Sequence, residues 1–145
     1  MSTRDDIEVF LDEYQSTLSA FDAERTAALW GTPGTIVSDD FVGALHSREE
    51  MARGLAQAHP MYQMLGLSRV DHTLLEFAEL TSVLVRVRVR WNFYDGDDVL
   101  LTDSDYEYLL RCDDEGWRTY VAVAIDEAAK LARVAADRGI RLPGM

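Results

Sequence analysis

Residues 85–91 read VRVRVRW. Strict alternation puts the valines and Trp91 on one face of a strand and Arg86, Arg88 and Arg90 on the other. Three arginines in so short a run also suit a strip that grips phosphates. The rest of the chain decides between the two. It carries 14 basic against 26 acidic residues, a formal charge of -12, whereas nucleic acid and anionic membranes demand a dominant positive surface. Downstream, Asp103, Asp105 and Glu107 repeat at the same spacing of two. If Asp95–Asp98 form a four-residue loop, Tyr94 pairs with Val99. Arg90 then faces Asp103, Arg88 faces Asp105 and Arg86 faces Glu107. Such a salt-bridge ladder sets the register of a hairpin, because a one-residue slip turns the apolar set to the wrong face. Neither nucleic acid nor a membrane is expected as a partner.

The opposite face of that hairpin carries Val83, Val85, Val87, Val89, Trp91 and Phe93, with Leu100, Thr102, Ser104, Tyr106, Tyr108 and Leu110 across from them. A second loop, DDEG (Asp113–Gly116), pairs Tyr108 with Val121 and Tyr106 with Val123. This face is apolar but studded with hydroxyl and indole groups, which need partners when buried. Such a surface fits a small-molecule pocket, and equally a core whose tyrosines are satisfied internally.

Working outward, runs rich in Val, Leu, Thr, Tyr and Trp over 67–78, 82–94, 99–112 and 117–125 predict four strands. Before them, Ile7, Phe10, Leu11, Tyr14, Leu18 and Phe21 mark one stripe of a helix over 4–20, with Thr3 as its cap. Asp22 caps a short second helix ending near Trp30, and GTPG (Gly31–Gly34) is read as a stop. TIVSDD and a return segment follow. Ser47 and Glu50 form a capping box that opens a helix through Met51, Leu55, Ala58 and Tyr62, which Pro60 ends or kinks. After the strands, Asp126 and Gly139 bracket a last helix. The whole of 1–145 reads as a single domain, with a core of about 4–125 and a C-terminal helix over about 126–139.

Apolar content of 48% and one cysteine, Cys112, describe a globular chain without an internal disulfide. No apolar run reaches the length of a membrane span and no signal core opens the chain, so a cytoplasmic location is expected. His46, His59 and His72 show no metal-ligand spacing, no phosphate loop follows a strand, and no G-x-S-x-G elbow occurs. Neither a metal nor another cofactor is expected.

Helices followed by a strongly curved antiparallel sheet make an α+β arrangement. The element order, the short helix after Asp22, TIVSDD, the HSREEM helix start and the hairpin RCDDEGWRTYVAV resemble the nuclear transport factor two-like superfamily. Its fold is a cystatin-like cone, and it includes ketosteroid isomerase, SnoaL-like polyketide cyclases and scytalone dehydratase. The resemblance implies an isomerase-, cyclase- or dehydratase-type site without a cofactor. In ketosteroid isomerase the catalytic tyrosine lies eight residues before the Asp that opens the second helix, and Tyr14 stands eight before Asp22. The general-base Asp ends the first strand, where Asp39 stands, with Asp40 one step along. The third position, a protonated Asp, falls at Tyr108, itself able to donate a hydrogen bond.

These matches set the expectations for a site. Asp39 moves a proton, and Tyr14 and Tyr108 hold an oxyanion. Trp30, Asp40, His59, Tyr62, Trp91, Ser104, Tyr106 and Val123 contact a small apolar or aromatic ligand bearing a carbonyl or hydroxyl group. Alternation puts Asp39 on one side with Val37, and the resemblance implies that this side faces inward, where desolvation by Trp and Val would raise its pKa; a one-residue shift would place Asp40 there instead. HPMYQML is expected to form a soft rim or lid, and the last helix to cover the cone mouth or a partner subunit. The alternatives are a ligand-binding module without chemistry and a purely structural dimer. A homodimer through the outer sheet face is expected in every case.

Overall fold

The computed structural model describes residues 2–142. The sheet comes first, because it shapes everything packed on it. Strands β1 (Trp30–Val37), β2 (Val42–Leu45), β3 (Arg69–Glu79), β4 (Leu84–Tyr94), β5 (Leu100–Asp113) and β6 (Gly116–Ala124) form one curved, unclosed sheet in the order β2-β1-β6-β5-β4-β3. All neighbours are antiparallel except β1 and β6.

Helix α1 (Thr3–Ser19) lies in the curve of the sheet against β3. Its stripe of Ile7, Phe10, Leu11 and Tyr14 packs on Val85, Val87, Val89, Trp91 and Phe93 of β4. The VRVRVRW strand therefore faces the core with its valines, as alternation predicts; Val83 is exposed just before the strand begins. Ser2, rather than Thr3, caps α1 in a reciprocal box with Asp5. Helix α2 (Ala23–Ala27) starts at Asp22, whose carboxylate accepts from the Arg25 N–H.

The hairpin registers differ from those the sequence suggests. Tyr94 pairs with Leu100 and Phe93 with Thr102, so Leu101 is a bulge residue. Asp95 builds the loop by accepting from the N–H groups of Asp97 and Val99. The pairing slides by two, which preserves the faces: Arg90 sits opposite Asp105, Arg88 opposite Glu107 and Arg86 opposite Leu109. Asp105 collects the ladder. It accepts two bonds from Arg90 at 2.8 and 3.1 Å and lies 3.7 Å from Arg88. Asp103 instead pairs with Lys130. A second bulge skips Tyr120 in β6, so that Ala122, not Val121, faces Tyr108 and Ala124, not Val123, faces Tyr106.

GTPG does not stop the chain. It runs inside β1, where pairing with β6 lapses between Trp30 and Thr35, and the exposed Pro33 owes no hydrogen bond there. The helix expected through Tyr62 is two: α3 (Arg48–Ala56) and α4 (His59–Met64). Pro60 lies in the first turn of α4, where a missing N–H costs nothing. Ser47 caps α3 as expected, while the Glu50 carboxylate reaches one residue further back, to the His46 N–H. Helix α5 (Glu127–Arg138) ends at Gly139 in the left-handed region. Its Leu131, Val134 and Ala135 form a separate small cluster with Leu65 and Leu142, backed by Met61 and Tyr62 of α4. Among the described residues no helix is long and apolar enough to cross a membrane.

Candidate functional site: a tyrosine-clasped carboxylate in the cone

Between the helices and the inner sheet face lies a cavity of about 530 Å³. Two indoles begin to organise it. Trp30 Nε1 donates to the Tyr14 hydroxyl at 3.0 Å, and Trp91 Nε1 donates to the Tyr108 hydroxyl at 2.8 Å. Each phenol oxygen is thus occupied as an acceptor. Among the described residues, neither O–H has an acceptor of its own. The Tyr14 and Tyr108 rings are 5.9 Å apart, and Tyr14 stacks on Trp91 at 5.6 Å. Two phenol protons therefore remain free for a guest, each made a better donor by the N–H bound behind it.

The cavity also holds a carboxylate that sequence reasoning missed. Glu127, the first residue of α5, accepts a hydrogen bond from Tyr62 on one oxygen at 2.8 Å and a very short one from Tyr106 on the other. It is half-buried and lines the cavity. Burial among aromatic rings raises its pKa above the ordinary 4.5; the two phenol bonds pull it back, and the charge of Asp126 adds to the rise. Burial likewise pushes the Tyr62 and Tyr106 phenols well up, with the Glu127 charge adding to it. Tyr14 and Tyr108 are raised mainly by burial, and their indole bonds oppose the shift. All four phenols are neutral donors at physiological pH.

Local backbone chemistry supports this wall. Helix α1 ends in a Schellman motif, with the Asp22 N–H bonded to the Thr17 carbonyl and the Phe21 N–H to that of Leu18. The position between the helices normally belongs to glycine, yet Phe21 occupies it with φ at 52°. Its ring lines the cavity and meets the edge of His59 at 5.3 Å. A bulky residue kept where glycine is favoured costs on the order of 1 kcal/mol. That cost holds an aromatic wall in place. Desolvation lowers the His59 pKa, so this imidazole is neutral at pH 7.

The structure gathers Tyr14, Trp30, His59, Tyr62, Trp91, Tyr106 and Tyr108 around the cavity. It does not bring Asp39, Asp40, Ser104 or Val123 there. The expectation that alternation carries Asp39 inward from Val37 fails because β1 ends at Val37. Ser38 and Phe41 bond to each other across a two-residue turn, and Asp39 and Asp40 are exposed at its tip. Ser104 is fully buried opposite Trp91, off the cavity wall, and the β6 bulge puts Ala122 on that wall and Val123 off it. Glu127 went unread because an acid in a first helical turn already has a reason to be there, complementing the helix dipole. The available signal was its place directly after a strand that closes a tyrosine-bearing sheet.

These features define a protein class: a cone of curved sheet with a polar-studded cavity and no lining cysteine. The chain belongs to the family described as NTF2-like protein (DUF6841), whose model matches residues 4–127. No curated protein matches it. An NTF-2 like protein of unknown function from Shewanella oneidensis shares the fold with a TM-score of 0.70 at 16% identity, over 86% of this chain and 100% of that one. A domain of unknown function with a cystatin-like fold from Nostoc punctiforme gives 0.68 at 18% identity, over 96% and 93%. A ketosteroid isomerase-like protein from Erwinia carotovora atroseptica gives 0.59 at 17% identity, over 82% and 92%.

Proposed function

We propose that the cavity binds a small, largely apolar molecule carrying a carbonyl and that the protein moves a proton on it without a cofactor. Glu127 takes the proton. Tyr14 and Tyr108 donate to the oxygen on which negative charge gathers, as preorganised donors do. This reading replaces Asp39 as the base and keeps both tyrosines in the roles expected of them. The observation that carries it is the Glu127 carboxylate, desolvated and clasped by Tyr62 and Tyr106, on the wall of the cavity that also presents two free phenol protons.

The test is solvent-deuterium exchange at the carbon beside the carbonyl of bicyclic aromatic ketones, 1-tetralone first, followed by NMR. The wild-type protein is expected to exchange the proton faster than buffer, with a rate that rises with pH as Glu127 ionises. Glu127→Gln should remove about 10²–10⁴-fold of that rate. A ketone that binds in the cavity yet exchanges at the buffer rate overturns the reading.

One observation favours a second reading. Both Glu127 oxygens already accept a phenol, an arrangement that also suits a rigid pillar in a ligand carrier without chemistry. In that case Glu127→Gln changes affinity and no rate. Under either reading we propose a homodimer through the outer sheet face, around Arg88, Arg90 and Asp105. Light scattering at micromolar concentration checks it: twice the chain mass is expected, and a monomer mass refutes the dimer.

A further inference from the structure

A second polar cluster lies at the seam between α1 and the terminal strand β3, apart from the cavity lining. His72 is its centre. Its side chain is only 7% exposed. Nδ1 lies 2.6 Å from Gln15 Oε1. A carbonyl oxygen can only accept, so Nδ1 carries the ring proton and donates. In the neutral ring, Nε2 then presents its lone pair. It points at two further acceptor-only groups, Glu8 Oε2 at 3.2 Å and Asp12 Oδ1 at 3.9 Å. A lone pair and two carboxylates that converge in this way are the donor set of a cation site.

We propose that Glu8, Asp12 and His72 form a binding site for a divalent transition-metal ion of the zinc type. The three ligand atoms lie within 4.8 Å of one another. Tetrahedral zinc, with bonds of about 2.0–2.2 Å, sets its ligand atoms about 3.3–3.5 Å apart, between the two distances observed from Nε2. Glu8 and Asp12 stand four apart on one helix face and reach the same point. Asp12, with a side chain 71% exposed, is free to close the remaining gap. Gln15 plays the outer part that orients a metal-binding imidazole by accepting from its other nitrogen. One imidazole with two carboxylates suits zinc or its first-row neighbours; magnesium and calcium prefer oxygen alone. Histidine spacing along the chain could not show this site, because its ligands are a helical pair and a strand residue some sixty positions later. The His72 ring meets the edge of Trp91 at 6.0 Å, and Trp91 holds the Tyr108 hydroxyl. An ion here braces the outer side of the cavity wall.

The experiment is titration of the full chain with Zn²⁺ by calorimetry and with Co²⁺ by visible absorption, alongside ¹⁵N NMR of the histidine rings. One ion per chain is expected, with a shift of the His72 Nε2 resonance. Binding should be lost in His72→Gln. It should weaken about tenfold to a hundredfold in Glu8→Gln, Asp12→Asn and Gln15→Leu, and persist in His46→Gln and His59→Gln. Absence of stoichiometric Zn²⁺ binding, or a His72 ring that only takes up a proton, overturns the proposal. Should His72→Gln fail to fold, the Glu8→Gln/Asp12→Asn double variant decides: affinity equal to wild type overturns the site, and loss supports it.

Discussion

Two acidic doublets leave the same end of two neighbouring parallel strands. Asp39–Asp40 follow β1, and Asp126–Glu127 follow β6, two strands in register at Val37 and Val123. In sequence the doublets look alike. In the fold they part company. After β1 the chain reverses at once, and both carboxylates sit in water. After β6 the chain enters α5, which folds back over β5. Asp126 accepts from the Asp105 N–H, and Glu127 enters the cavity between two phenols. The chemistry of a carboxylate at a strand end thus depends on what the next element does with it. The apolar stripe of α5, docked on Leu65 and Leu142, settles that here.

The largest effect expected from this contrast is on proton transfer. Glu127→Gln should lose about 10²–10⁴-fold in ketone exchange, while Asp39→Asn and Asp40→Asn each keep the wild-type rate. Loss in Asp39→Asn would return the base to the β1 turn. A smaller, directional effect comes from the clasp. The Tyr106 bond lowers the Glu127 pKa, so Tyr106→Phe should raise it and move the ascending limb of the pH–rate profile to higher pH. An unmoved limb would assign that limb to another group.

Stability gives a third comparison. A carboxyl group whose folded pKa lies above its unfolded value keeps its proton longer in the native state. Its contribution is full below the unfolded pKa, near 4.5, and is lost as pH rises through the folded pKa. Urea denaturation should therefore show wild type losing up to about 1.4 kcal/mol per pH unit relative to Glu127→Gln across that window. Asp105 works in the opposite sense, since Arg90 lowers its pKa; its share is lost on acidification and is common to both proteins. The smallest effect belongs to the exposed turn: Asp39→Ala and Asp40→Ala should each shift stability by no more than about 0.5 kcal/mol.

The alternation of VRVRVRW, the two Asp-rich loops and the capping residues Asp22 and Ser47 were enough to read the hairpins of the sheet, the inner face of β4 and the starts of α2 and α3. Register was less legible. Bulges at Leu101 and Tyr120 each add a residue that no local pattern announces, and the second put Ala122 and Ala124 where Val121 and Val123 were expected. Tyr14, Trp91, Tyr106 and Tyr108 meet at the cavity because they lie on faces that period fixes, whereas Trp30, His59 and Tyr62 reach it on elements whose bounds differ from those expected. The carboxylate did not yield to that logic. Glu127 meets Tyr62 across 65 positions and Tyr106 across 21, and only the docking of α5 brings them together.

That docking has a consequence for how the protein breathes. The cone and its carboxylate rest on separate apolar clusters: α1 and the sheet on one, α5 with α4 on the other. Sub-global opening of the second leaves the first intact. Amide hydrogens of α5 should then exchange well ahead of those in β4 and β5. In the opened form the cavity keeps the Tyr14 and Tyr108 donors and loses its acid. One hinge after Ala124 would let the same cone alternate between a receptacle that only holds its guest and one equipped to act on it.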